Sequence, residues 1–419
     1  MSELKAGVGL SRKWDAREAG REVAETALEK LEGEKPKFFL LFSTIHYEKY
    51  GGFQELLNGV WEVLPEGTPL IGGTVAGFMN NYGCFARGAT GLAVHYPDMR
   101  VSIGVGHNTK RNPKKAVEEC IDMLRAKDSL NKTEFYIEIV SGPVIPSFPG
   151  VGRQTVIKSK TMGRVMEKAL PTLWKSNMGT DRADEILEHI SAQIDKPLIG
   201  LVSIDNGKLL KNYQFLDREV LENTLLLMGV STQLKPSFFS TSALVPRGIK
   251  VKISTKKDRR TVVRINDKEA TPELYRLLGW DEKSVREVEK FYTQAFYYPF
   301  GSLREGKIHA YMIGLILGSH VYFANKIESN ELELYSLTAD QILLETQKIF
   351  SREAKLIYGV MCETYIETLG SRIYEIKNIA DKTHSDYLIL FGGGESLILE
   401  DGTPHHLYES INLISFQDI

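Results

Sequence analysis

Pro69-Leu70-Ile71-Gly72-Gly73-Thr74-Val75-Ala76-Gly77 reads as a short buried strand that ends in a glycine-rich turn. The same Pro-Leu-Ile-Gly returns at Pro197-Leu198-Ile199-Gly200. A helix before Pro69 is marked by Asp15 as N-cap with Glu18 three residues on, a capping box, and by Ala19, Val23, Ala27 and Leu31 at helical spacing. The strand Phe38-Phe39-Leu40-Leu41-Phe42 follows, then a helix through Leu56, Val60 and Val63. After the glycines comes a strand at Gly91-Leu92-Ala93-Val94.

The second copy has the same order. It starts at Asn112-Pro113, an N-cap with proline in the first turn. It continues with Val117, Ile121 and Leu124, the strand Phe135 to Val140, a helix through Ile186 and Ile190, Pro197 to Gly200, and Thr224 to Met228. A third copy starts at Thr338 with Gln341 three residues on. It runs through Leu356 to Val360, a helix from Ser371 to about Asp381, Tyr387 to Gly392, and Asn412 to Phe416. The first two strands start 31 residues apart in copies one and three, and 62 apart in copy two. Copy two therefore carries an insertion, about 141–180. Its start, with Gly142, Pro143, Pro146, Pro149, Gly150 and Gly152, reads as an exposed loop. A loop that long is usually functional or mobile. Any α/β chain alternates helix and strand, but the repeated Pro-Leu-Ile-Gly argues for repetition.

The expected fold class is α/β with mixed sheets: three related helix-strand-helix-strand-strand units arranged as two domains, 1–248 and 249–419. Residues from Ile249 to about Gly279 read as a strand-rich linker. The aromatic run Phe291, Tyr292, Phe296, Tyr297, Tyr298 and Phe300 reads as the seal between two domains.

With a formal net charge of −2, no global field draws the chain to nucleic acid or to an anionic membrane. Three cysteines, Cys84, Cys120 and Cys362, are too far apart for a disulfide framework or a paired-cysteine metal site. The longest strongly apolar stretch, Ala310 to Gly318, is about half of the ~20 residues a membrane span needs. The N-terminus has no secretory pattern. The expectation is a soluble, cytoplasmic protein.

No phosphate-binding loop, dinucleotide fingerprint, HExxH or GxSxG is present, and Gly104-Val105-Gly106 leads into His107 and Asn108 instead of completing a fingerprint. His405 and His406 are adjacent and so point in different directions, which disfavours a shared metal. Two glycine-rich strand ends remain: Gly72 to Gly77, and Phe391-Gly392-Gly393-Gly394-Glu395-Ser396. Ligands in α/β sheets favour the carboxyl ends of strands, while a bland reading gives these glycines tight turns only.

The order of Val8-Gly9, Asp15, Glu18-Ala19-Gly20, Leu40 to Ser43 and Pro69 to Gly77 resembles the N-terminal FIST domain. The C-terminal part resembles its partner, FIST C: Cys362 opens what is usually a Cys-x-x-Arg motif, and Phe391, Gly394 and Glu395 match an aromatic-x-x-Gly-Glu motif. Tyr365 stands in place of that arginine, and Glu409 to Ser410 replace a usual His-Asn-x-Thr. The resemblance implies a sensory module, FIST N-like over 1–248 and FIST C-like over 249–419. It would bind a small molecule, such as an amino acid or a relative, and signal through a partner protein. Some relatives bind haem. Nine histidines are present, none in an attachment motif, and haem is not expected. The expected site is a cleft between the two halves lined by Gly73, Thr74, Gly77, Cys362, Gly393, Gly394 and Glu395, with Glu395 pairing an ammonium or hydroxyl. The alternatives are an enzyme with Cys362 as nucleophile, or a scaffold without a ligand.

Overall fold

The computed structural model describes residues 3–127, 130–147, 153, 155–281, 288–351 and 354–417. Pro149, Gly150 and Gly152 of the expected loop lie outside these residues.

The caps read from the sequence form as drawn. The Asp15 carboxylate accepts from the Glu18 amide at 2.9 Å, the Asn112 side-chain carbonyl from the Lys115 amide at 3.2 Å, and the Thr338 hydroxyl from the Gln341 amide at 3.3 Å. They open helices Ala16–Glu29, Pro113–Ala126 and Ala339–Ile349. Each unit also has a strand in front of its first helix that the sequence reading lacks: Lys5–Ser11, Arg100–His107 and Ser237–Ser242.

Each unit builds a mixed sheet. The second and third strands pair in parallel: Phe38–Ser43 with Leu70–Thr74, Phe135–Ser141 with Leu198–Ser203, and Leu356–Cys362 with Asp386–Gly392. The last strand, Ala89–His95, Thr224–Ser231 or Ser410–Phe416, runs antiparallel between the first and the second. The central strands are buried on both faces, which explains their unbroken apolar runs.

Every unit sends a hairpin from after its third strand to a neighbour's sheet. Unit one's strand Gly77–Asn80 pairs with unit three's Asp386–Gly392, unit two's Gln214–Leu216 with unit one's Leu70–Thr74, and unit three's Glu395–Ile398 with unit two's Leu198–Ser203. The exchange closes a ring. Leu40 and Ile71, Ile137 and Ile199, and Tyr358 and Leu388 meet in one core that draws on all three units.

The segment expected as a linker is part of a fourth sheet, which corrects that reading. A long strand, Leu244–Thr255, runs through it and pairs with Glu331–Leu337 on one side and Thr261–Ile265 on the other. The sheet is inserted between the first strand of unit three and helix Ala339–Ile349. Local pattern does not distinguish a linker from a strand of a larger sheet when one of its two partners, Glu331–Leu337, lies more than 70 residues away. The aromatic run divides: Phe291 and Phe300 are buried in the core of this sheet, Phe296 packs toward the core of unit three, and Tyr298 is exposed.

The unit-two insertion also ends on this sheet. Its strand Val156–Ile157 pairs in parallel with Ile313–Leu317, and helix Lys160–Lys175 follows. Among the described residues no helix is long and apolar enough to cross a membrane.

Candidate functional site

The two glycine-rich strand ends do come together. The Ile204 amide donates to the Thr74 carbonyl, and that of Ala76 to Phe391, both at 3.0 Å. Gly393 and Val202 join the third side: the Gly393 amide donates to the Val202 carbonyl, and the Val202 amide to the Gly394 carbonyl. The three units are thus laced by main-chain bonds at the carboxyl ends of their third strands. Close approach favours glycine, most strongly at Gly73. A Cβ there would lie 2.7 Å from Ser203 Oγ and 2.8 Å from the Tyr213 carbonyl oxygen, and one on Gly393 2.9 Å from Ile204 Cδ1.

Thr74 is fully buried, and its hydroxyl accepts from the Tyr213 amide at 3.0 Å. Gly77 pairs with Phe391 in the exchanged hairpin. Gly394 packs on His406 and Val202. Glu395 is fully buried, and its Oε2 accepts from the Ser410 amide and hydroxyl at 3.3 and 2.9 Å. Of the expected residues, Cys362 and Gly393 line the large cleft next to this junction; the other five are not among its lining residues.

That cleft holds a cavity volume of about 130 Å3 and is partly open to solvent. The insertion supplies Ile157, Met166, Leu170 and Trp174 to its walls, and the fourth-sheet region Phe296, Met312 and Tyr322. Cys362, Glu363 and Thr364, at the end of strand Leu356–Cys362, line its inner end with Asp181. Cys362 takes the strand position held by Ser43 and Ser141 in the other units. Ser141 is sealed inside, bonded at 2.9 Å to both the Lys110 ammonium and Asn212. Only in unit three does this strand end line the cleft.

The inner end is acidic. The Thr364 hydroxyl lies 2.5 Å from Glu409 Oε2 and 3.2 Å from Cys362 Sγ, and with one proton it can donate to only one of them at a time. Burial pushes Glu409 up to about 8, and Glu363 up to about 8 with help from Asp205, Glu367 and Glu409. Burial, and then Glu409 and Glu395, raise the Cys362 thiol well above its usual range. The two departures from the usual family motifs touch: the Tyr365 hydroxyl donates to the Glu409 carbonyl at 2.7 Å. Glu409 is held at φ 55°, a strained conformation for a residue with a side chain.

Such a thiol is not a poised nucleophile, since the thiolate is the reactive form. No histidine is among the described lining residues, and carboxyls around Cys362 oppose its ligation of a haem iron as thiolate. Among the described residues no three His, Cys, Asp or Glu side chains are grouped to hold a metal. Reasoning from sequence missed Glu363, Asp181, Thr155 and the apolar walls. The unusual length of the 141–180 segment was the available signal.

No curated protein matches the chain. Among solved structures, one cyanuric acid hydrolase aligns at 11% identity over 55% of this chain and 69% of its own, and a second, from A. caulinodans, at 8% over 55% and 72%, both with a TM-score of 0.26. PurLQS from Thermotoga maritima aligns at 11% identity with a TM-score of 0.19. Likeness at this level carries no argument about fold or function. The FIST N domain model matches residues 37–268, more than half of the chain, and the protein belongs to the FIST family.

Proposed function

We propose that this protein is a sensor that binds a small amphipathic metabolite in the cleft between the unit-two insertion and unit three, and passes the signal to a partner protein. The carrying observation is the cleft itself: apolar walls around a few convergent polar groups, as expected of a ligand site. The family is one of sensory domains, which agrees with binding without turnover. The raised Cys362 thiol argues against the enzymatic alternative.

Gly314 gives the test. It lines the cleft, and a Cβ there would meet only ordinary contacts, the nearest at 3.5 Å. Gly314→Leu should fill the space without unfolding the protein. Native mass spectrometry of the purified chain, followed by a thermal-shift screen of amino acids and related metabolites, should find a ligand that stabilises the wild type by about 2.7 kcal/mol at 100 times its dissociation constant. Gly314→Leu should lose that shift. An equal shift in both proteins places the ligand elsewhere and ends this reading.

A further inference from the structure

We infer that the cleft selects an organic cation, a primary amine on an apolar tail, and that Glu363 holds its ammonium. This inference rests on the cleft being the ligand site. Glu363 lines the inner end, and the charged groups acting on it, Asp205, Glu367 and Glu409, are all acidic. Glu409 and Glu395 continue the set inward, both fully buried, each with one carboxyl oxygen lacking a partner. Glu363 is half-buried and the two carboxyls behind it are fully buried, and charge of one sign so far removed from water is costly unless it is neutralised. In the empty protein protons do this. A bound ammonium does it with three donors.

A second observation points the same way. The Thr155 hydroxyl is buried, 4% exposed, lines the cleft and has no partner, so it stands ready for a polar ligand group and can accept from an ammonium. Asp181 is a poorer anchor, because His406 and Arg260 act on it. Among the described lining residues Arg153 is the one cation; one Nη of its guanidinium donates to the Lys208 carbonyl, while its buried Nε has no partner, so the charge balance of the lining rests on the larger number of carboxyls. Phe296 and Tyr322 on the walls add aromatic rings, whose negative faces favour a cation over an anion, while the Trp174 ring is already stacked by Arg182 and Arg260.

The experiment uses three probes with one tail: hexylamine, hexanol and hexanoate. Calorimetric titration of the full chain should rank them in that order, with the amine about tenfold or more tighter than the alcohol, the worth of one charge-assisted hydrogen bond. Glu363→Gln keeps the shape of the protonated carboxyl, so it should fold. It should weaken the amine about tenfold and leave the alcohol within about twofold. Hexanoate binding as tightly as hexylamine, or an amine affinity unmoved by Glu363→Gln, overturns the selection for cations while the cleft reading stands. If all three probes bind wild type and Gly314→Leu equally, or none binds either, the cleft reading itself falls.

Discussion

At the scale of single residues, buried carboxyls make stability depend on pH in an unusual direction. Glu409 is ionised above its ordinary value of 4.5 when the chain is unfolded, but keeps its proton to about 8 when folded. The folded state therefore binds more protons between those values. Stability is fully present below about 4.5, falls by about 1.4 kcal/mol per pH unit for each such group as pH rises, and levels off above about 8. Melting temperatures measured from pH 5 to pH 8 should fall in wild type and fall less in Glu409→Gln. A parallel loss in both proteins would show that Glu409 does not hold its proton. Gly72 supplies a steric counterpart. A Cβ there would lie 1.7 Å from the Leu41 carbonyl oxygen, so Gly72→Ala should cost several kcal/mol, about the upper range for point changes, read as a lower urea midpoint. Gly314→Leu, whose Cβ would meet only ordinary contacts, should not. None of this contrast is visible in the letters, where both are glycines within a short apolar strand.

At the scale of elements, legibility followed chemistry that is local. Asp15, Asn112 and Thr338 announce helix starts because a cap is satisfied within three residues. The leading strands were missed for the opposite reason. Lys5–Ser11 and Arg100–His107 each carry two glycines, which lower strand propensity. Those glycines exist because helices press on them: Cβ atoms at Gly7 and Gly106 would come within 1.9 Å of the Ala27 and Ala116 carbonyl oxygens. Gly104-Val105-Gly106, which fails as a cofactor fingerprint, is a helix-docking surface. The insertion helix docks in the same way: Gly163 lies against the Leu317 main chain, where a Cβ would approach to 2.6 Å. Gly163→Leu should push helix Lys160–Lys175 off the fourth sheet. Far-UV circular dichroism should stay close to wild type while ligand-induced thermal shift is lost. Retained binding would show that the helix does not form the cleft wall.

For the whole molecule, the exchange of hairpins couples the units. The strand Gly77–Asn80 has its partner at Asp386–Gly392, more than 300 residues on, and Ser237–Ser242 pairs with Ser410–Phe416. The division at residue 248 falls within the strand Leu244–Thr255. A fragment of residues 1–248 would leave the hairpin of unit one and one face of the shared core exposed. It should be unfolded or aggregated by size-exclusion chromatography and circular dichroism, whereas a cooperative, monodisperse fragment would show that the ring is dispensable. By itself the sequence determined the repeat of helices and strands, the mixed α/β class, the family, and two glycine-rich strand ends that do meet. These are matters of local periodicity, capping and motif order. Tertiary structure decided the ring of exchanged hairpins, the fourth sheet, and which of three equivalent strand ends borders a cleft. It also decided that Glu395 lies buried beneath Ser410 while Glu363 lines the cleft. Strand partners hundreds of residues apart, and the loss of water around a carboxyl, are set only when the chain closes on itself.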